Sequence, residues 1–178
     1  MQLMEHFMLL ARYNQWMNTK IYAAASRLPP EELWKDRGAF FRSILGTLNH
    51  IMVGDILWLK RFATHPSSHA SLHGIVSLPM PSSLEQILID EFEPLHQRRK
   101  WMDEQIINWV DQLSFRDLDD SLSYHNIQGT PATQSYSSLI LHFFNHQTHH
   151  RGQVSTLLSQ TGEDIGSTDL LDLIAQQQ

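Results

Sequence analysis

Apolar side chains recur at intervals of three and four residues in four long stretches of the chain, the spacing that places them on one face of an α-helix. The pattern predicts long helices over residues 3–28, 40–64, 82–112 and 134–160. It also predicts a last short helix over residues 168–176. Four long helices joined by loops favour an all-α four-helix bundle, whose facing helices can bind a metal ion between them.

Turn-forming and capping residues set the expected boundaries of these helices. Ser82 and Glu85 have the spacing of a capping box, which predicts that the third helix starts there. Pro94 falls inside the same predicted helix and predicts a kink or a break, because proline lacks a backbone donor. Residues 122–128 indicate a small hairpin before the fourth helix. Gly162 is a candidate C-terminal cap for that helix.

Composition limits the domain organisation and the classes of partner. A chain of 178 residues suits a single domain spanning 1–178. The net charge of −6 argues against nucleic-acid binding, which depends on attraction to phosphate. The N-terminus lacks the basic residues of a signal peptide and no apolar run is long enough to span a membrane, so we expect a cytoplasmic protein without membrane association. The absence of cysteine means that any metal must be held by nitrogen and oxygen.

Histidines are concentrated in the predicted fourth helix. His142, His146 and His150 recur at every fourth position and therefore share one helical face. Two imidazoles at i and i+4 can bind one metal ion, and a third from another helix completes a site with an open coordination position. His146 and His150 are the strongest pair, because apolar residues surround them and buried imidazoles need partners. Gln147 lies where a zinc protease of the His-Glu-x-x-His type has its general base, which excludes that mechanism.

Three other histidines near this pattern have alternative interpretations. His50 is the candidate third ligand, although a single histidine on an apolar helix face is more often an ordinary core residue. Spacing alone does not establish that the second and fourth helices meet. His142 is a candidate fourth ligand, pocket wall or core residue. His149 points about 100° away from its neighbour on a helix, which favours a surface role over a contact behind a ligand.

Residues beside the candidate ligands could support them. Asn49 and Asp55 flank His50 and either could orient its ring, or both could be ordinary helix-face residues. Arg151 favours a structural ion pair over binding of a substrate carboxylate. Gly152 lies inside a helix, where glycine costs about 1 kcal/mol relative to alanine. We therefore expect another helix to approach closely at that glycine.

A second set of histidines lies in the segment between the second and third predicted helices. His65, His69 and His73 share the every-four spacing, but residues such as Pro66 prevent a stable helix there. The composition of segment 65–81, rich in Ser, Pro, Gly and His, favours a flexible loop above a pocket. It favours that interpretation over a second metal site.

Four stretches of the sequence resemble the DinB/YfiT-like family of metalloenzymes, small four-helix bundles unrelated to the similarly named DNA polymerase. They are YNQWMN at 13–18, SILGTLNHIMVGDILWL at 43–59, YHNIQG at 124–129 and HFFNHQTHHRGQ at 142–153. The resemblance implies an up-down-down-up bundle and often a homodimer. It also implies a divalent-metal site formed by His50, His146 and His150. The family's last ligand immediately precedes Arg-Gly-Gln, which selects His150 over His149.

Related families include transferases that use low-molecular-weight thiols and a thiol-dependent isomerase, so the resemblance implies a small-molecule substrate and possible use of a thiol. An ion held by three neutral histidines strongly acidifies bound water or a bound thiol. Zinc is the favoured ion, while nitrogen ligands also suit nickel, cobalt or iron. The resulting interpretation is a metal-dependent transferase. The alternatives are a protein whose ion is only structural, and a small-molecule binding or stress-response module that needs no metal.

Overall fold

Helices account for most of the residues that the computed structural model describes, which are 3–67, 69–126 and 128–176. The prediction of a mainly helical chain is confirmed, and a small two-stranded antiparallel sheet is added to it. In chain order the elements are α1 (Leu3–Ala25), α2 (Pro30–Trp34), α3 (Ile44–Phe62), a 3-10 turn (Ala70–Leu72), α4 (His73–Val76), α5 (Phe92–Asp111), α6 (Phe115–Asp119), β1 (Ser121–His125), β2 (Pro131–Ser135), α7 (Tyr136–Ser159) and α8 (Leu170–Ala175).

Three of the predicted long helices, α1, α3 and α7, lie close to their expected positions. α3 begins four residues later than predicted because the Ser43 hydroxyl caps it, accepting the backbone N–H of Gly46 at 3.0 Å. Gly162 ends α7 as expected. It has a φ of 86°, its N–H donates to the Ser159 carbonyl, and the next N–H reaches back to Leu158, the two bonds of a Schellman motif.

The prediction for the third long helix is wrong at its start. α5 begins at Phe92, and the preceding residues 81–91 form no helix. The side-chain oxygen of Gln86 accepts both the N–H and the hydroxyl of Ser82, at 2.7 and 3.0 Å, where a capping box with Glu85 was expected. Pro94 consequently lies in the first turn of α5. Its missing N–H has no helical partner there, so it causes no break.

The predicted hairpin is present and extends further than residues 122–128. β1 pairs with β2 from Ser121 opposite Ser135 to His125 opposite Pro131. The side chain of Asn126 shapes the turn, since its oxygen accepts the N–H of Thr130 at 2.9 Å. Residue 127, which belonged to the predicted hairpin, lies outside the described residues.

The long helices enclose one apolar core. α1 packs against α5 and α7, and α3 packs mainly against α7. The fully buried side chains at the centre include Ile21, Leu48, Met52, Phe62, Met102, Ile106, Trp109, Ile140 and Phe143. Within the described ranges, no helix combines the length and the apolar composition needed to cross a bilayer.

Buried polar side chains also connect the four long helices. Arg99 of α5 pairs with Asp55 of α3 and, at 2.8 Å, with Asp103 one turn along α5. The amide of Asn18 in α1 donates to Asp103 at 2.9 Å, and that of Gln147 in α7 donates to Asp55 at 2.8 Å. The two carboxylates therefore share one buried cation and receive further donors from two other helices. This network fixes how α3 and α7 lie relative to each other.

Candidate metal centre

The structure brings together His50 of α3 and the i, i+4 pair His146 and His150 of α7. One ring nitrogen from each lies within 4.8 Å of the other two. The ring centroids are 4.3 Å apart for His50 and His150, 4.5 Å for His146 and His150, and 5.2 Å for His50 and His146. Contact between α3 and α7, which spacing alone could not establish, creates this cluster. We call these three residues the histidine triad.

Hydrogen bonds fix which nitrogens of the triad face one another. Nδ1 of His50 lies 2.8 Å from the Leu84 carbonyl oxygen, and Nδ1 of His150 lies 2.8 Å from the side-chain oxygen of Gln153. Each oxygen can only accept, so each Nδ1 carries the proton and each Nε2 has a free lone pair. The two Nε2 atoms are 3.1 Å apart. Two nitrogen ligands on one tetrahedral zinc ion are about 3.3 Å apart, so this pair fits a shared cation.

The triad is uncharged at neutral pH. Burial is the largest cause that lowers the pKa of His146 to about 3 and that of His50 to about 4. Burial also lowers the pKa of His150, and a charge on that ring would lower the pKa of both partners further. Metal binding requires neutral imidazole. The three side chains are therefore in the state that a divalent cation needs.

Asn49 supports His50 indirectly. Its side-chain oxygen accepts the backbone N–H groups of Leu88 and Ile89 at 2.9 and 3.0 Å, and its amide donates to the Ile89 carbonyl at 2.9 Å. These bonds hold the segment before α5 against α3. The same segment carries the Leu84 carbonyl that orients His50. Asn49 therefore orients the ring through the backbone of another segment.

Phe41 covers one face of the triad. Its ring stacks on His50 with a centroid distance of 3.7 Å and an interplanar angle of 15°. It also meets His150 edge-on at 5.6 Å. Phe41 also lines a cavity of about 420 Å³, together with Trp34, Arg42 and Glu85. The aromatic ring that contacts the triad therefore also borders a space large enough for a small molecule.

Asp55 and Arg151 stabilise the helices around the triad. Asp55 is fully buried between Arg99 and Gln147, so it holds the residue next to His146 in place. Arg151 is also buried, and it donates to the side-chain oxygen of Asn14 and to the Thr148 hydroxyl. Neutral acceptors therefore occupy the place where an ion pair was expected for Arg151.

His142 and His149 lie outside the triad. His142 is exposed, packs edge-on against Trp58 at 5.0 Å, and has its ring 6.2 Å from that of His146. This position agrees with neither a fourth ligand nor a buried core residue. His149 is also exposed, and its Nε2 lies 3.3 Å from the Gln153 amide nitrogen. Its ring also meets that of His150 edge-on at a centroid distance of 4.8 Å, from outside the triad.

The end of the predicted loop 65–81 borders a second and larger cavity. Met80 and Pro81 line it together with Arg61 and Tyr124, and its volume is about 600 Å³. A pocket therefore lies next to the last two residues of the predicted loop, where a pocket beneath the whole loop was expected.

Sequence reasoning missed several groups around the triad. Gln153 had a detectable signal, because it lies three residues after His150 and therefore on the same helical face. The Leu84 carbonyl and the Phe41 ring had none, since their positions depend on the paths of two loops. Gly54 was also missed. A Cβ at that position would lie 2.7 Å from Cε1 of His146.

The close approach expected at Gly152 occurs at Gly54. Gly152 is exposed. Apart from its chain neighbours and the backbone of its own helix, no described heavy atom lies within 4 Å of the position that a Cβ would occupy there. Gly54 lies on the side of α3 that faces α7, where the ring of His146 occupies the space of a side chain. The expectation for Gly152 is wrong because its side of α7 faces solvent.

Gly54→Ala is expected to weaken metal binding by about tenfold or more and to destabilise the fold by about 1–3 kcal/mol, because the added methyl group must displace His146. Gly152→Ala provides the matched control. It should leave the affinity unchanged and raise stability by about 0.5–1 kcal/mol. Competition with a chromophoric chelator measures the metal affinity. Urea unfolding of the metal-free chains measures the stability. Equal behaviour of the two variants would show that His146 is not confined by α3.

Comparison with known proteins adds a family relationship. A model described as the DinB family matches residues 2–178. The chain is also 28% identical over 160 residues to Protein DinB of Bacillus subtilis (strain 168), an alignment that covers 90% of this chain and 88% of that protein. No solved structure matched the chain.

Proposed function

The chain belongs to the DinB family, and from that premise we propose that it is a metal-dependent enzyme whose ligands are His50, His146 and His150. The observation that carries this proposal is the 3.1 Å separation between Nε2 of His50 and Nε2 of His150. Both atoms have free lone pairs, because both Nδ1 protons are engaged by carbonyl oxygens. Lone pairs at this distance repel each other unless a cation lies between them.

Zinc is the ion we propose for this site, with nickel, cobalt or iron as substitutes that nitrogen ligands also accept. Three protein ligands leave a coordination position for a substrate, which is the pattern of catalytic zinc sites. His142 lies outside the triad and is exposed, so it does not fill that position. This difference favours catalysis over a purely structural ion.

We propose a transfer reaction that uses a low-molecular-weight thiol. When bound, the ion supplies the positive charge that stabilises a thiol as its nucleophilic thiolate at neutral pH. The sulfur then attacks an electrophilic carbon: an S–C bond forms, the leaving group departs with its bonding electrons, and the thiol proton passes to solvent. The thiol must come from outside, since the chain has no cysteine.

The residues of this chain hold and shield the reacting groups. Leu84 and Gln153 keep two ligand nitrogens aimed at one point, and Phe41 excludes water from one face of His50. The cavity beside Phe41 offers a place for the electrophilic substrate, and its lining carries the Arg42 guanidinium together with the carboxylates of Asp36 and Glu85. We therefore propose that the substrate enters from the Phe41 side.

Addition of a small thiol such as glutathione to the cobalt(II)-loaded protein is expected to produce a near-ultraviolet sulfur-to-cobalt absorption band. With no cysteine in the chain, such a band can come only from the added thiol. His149→Ala should keep the band and His150→Ala should lose it. The S-methylated form of the same compound is the ligand control. A panel of thiols that leaves the spectrum of the loaded protein unchanged would contradict a thiol-dependent reaction.

A second candidate function is an ion that only ties helices together. The triad joins α3 to α7, so a bound ion cross-links two long helices whatever its chemistry. Under this alternative the protein is a non-catalytic metal-binding or stress-response protein in which the ion is structural. Chelation should then lower the melting temperature, while added thiols produce no spectral change and no substrate is turned over.

We also propose the finer architecture and setting that the family implies. The four long helices α1, α3, α5 and α7 would form one up-down-down-up bundle domain, and packing of α1 on α5 and α7 supports this arrangement. The protein would be a cytoplasmic homodimer. Sedimentation of the metal-loaded chain distinguishes monomer from dimer.

A further inference from the structure

A second cluster of ligand-type side chains lies at the other end of α3 from Ser43. His65 follows the C-terminus of α3, His69 precedes the 3-10 turn, and Asp117 belongs to α6. One ligand atom from each lies within 4.8 Å of the other two. The exposed fractions of these residues are only 2%, 7% and 6%, respectively. His73, the third histidine of the same sequence pattern, is exposed and lies outside the cluster.

Two imidazole nitrogens in this cluster lack the partners that buried polar atoms normally have. Nε2 of His65 and Nε2 of His69 are both buried, and neither has a hydrogen-bond partner within the described part of the chain. Leaving such an atom unpaired costs free energy. A cation that both nitrogens bind would remove that cost.

Hydrogen bonds from the segment after α3 hold the His65 ring in place. Its Nδ1 accepts the backbone N–H of Ser67 at 3.3 Å and lies 3.1 Å from the Ser67 hydroxyl oxygen, and that hydroxyl donates to Asp117. Because Nδ1 accepts, the proton of the neutral ring is on Nε2, the nitrogen that faces Asp120. A cation bound at Nε2 would replace that proton.

Carboxylates supply the remaining donors. Asp117 accepts from Ser67 and from the N–H and hydroxyl of Ser114, yet two carboxylate oxygens together offer about four lone pairs. A second carboxylate is close by, because Oδ2 of Asp120 lies 3.5 Å from Nε2 of His65. Two imidazoles and two carboxylates match the number of ligands and the charge of a structural zinc site.

We propose that His65, His69, Asp117 and Asp120 form a second divalent-cation site, of the closed structural type. It would tie the segment after α3 to α6, in addition to the hydrogen bond from Ser67 to Asp117. This inference goes beyond the proposed function and does not depend on it. The competing interpretation is a metal-free cluster in which Nε2 of His65 simply faces the Asp120 carboxylate.

Zinc content after dialysis against a moderate chelator tests the proposal. The wild-type chain should retain two ions, and a His146→Ala/His150→Ala variant, which lacks two triad ligands, should retain one. Adding His69→Ala to that variant should remove the remaining ion. His73→Ala is the matched control, because it removes a histidine from the same segment outside the cluster, and it should leave the remaining ion bound. Circular dichroism confirms that each variant is folded.

If the triad variant does not fold, the single variant His69→Ala still tests the proposal. The His69→Ala chain should retain one zinc ion where the wild-type chain retains two. Zinc retained equally in the presence and absence of His69 would overturn the second site, as would a triad variant that binds none. Failure of the proposed function has a different signature. If the triad binds no metal, the wild-type chain retains one ion and only His69→Ala loses it.

Discussion

Replacing His146 by alanine is expected to weaken binding of a divalent ion roughly a hundredfold or more. Loss of a group that merely supports a ligand costs about 10–100-fold in affinity, and His146 supplies one of only three nitrogens. His50→Ala and His150→Ala should have effects of the same size. Metal content by mass spectrometry and chelator competition, on untagged protein purified without chelator, measure them.

His149→Ala is the matched control for these variants. The residue is exposed beside His150 and outside the triad, so its removal should change the affinity by no more than about twofold. Including His69→Ala in every chain removes the contribution of the second cluster. Equal metal retention in all four histidine variants would contradict the ligand assignment.

Arg99→Met is expected to cost about 3–5 kcal/mol in the free energy of unfolding, the largest stability effect that we anticipate. Asp55 and Asp103 are almost fully buried on either side of this guanidinium. Methionine fills much of the same volume but leaves two uncompensated buried carboxylates. Lys100→Met removes the adjacent exposed cation and should change stability by less than about 0.5 kcal/mol. Urea denaturation compares the two.

The loss in Arg99→Met should depend on pH in a defined direction. Burial raises the pKa of Asp55 and of Asp103, and Arg99 opposes that rise. Without Arg99 the folded-state pKa rises further above the unfolded value, so the folded chain binds protons more readily than the unfolded one. Its stability then falls as pH rises. Arg151, the other buried cation facing these carboxyls, is engaged by Asn14 and does not replace Arg99.

The variant should accordingly lose less stability at pH 5 than at pH 8 relative to wild type. A loss that is constant across this range, or greatest at low pH, would mean that Arg99 acts by packing and not by compensating charge.

Local patterns predicted much of the helical framework. Periodicity located α1, α3 and α7 because each has a wide apolar face, and it placed His146 and His150 on one face of α7. The start of α5 was misplaced because Ser82 and Glu85 have the spacing of a cap without forming one. Ser82 donates instead to the side-chain oxygen of Gln86, one residue after Glu85.

The tertiary arrangement of the candidate sites was beyond local patterns. His50 meets His150 of α7 only because the core brings together two helices whose contacting residues are 100 positions apart in the sequence. The second cluster was rejected at the sequence level because residues such as Pro66 were expected to prevent a helix in segment 65–81. That expectation is wrong for part of the segment, since Ala70–Leu72 form a 3-10 turn and His73–Val76 form α4. His65 and His69 converge without a helix, and Asp117 reaches them from a distant element.

The carbonyl of Leu84 has an evolutionary consequence. A ligand oriented by a main-chain oxygen places no demand on the side chain at that position, which is free to change as long as the backbone path remains. The selective constraint falls instead on Asn49, whose amide holds that path in place with three hydrogen bonds. Asn49→Ala should therefore be far more damaging than any ordinary replacement of Leu84. Relatives with this kind of site are better sought by an Asn-His pair in the second long helix than by the residue that bonds the histidine.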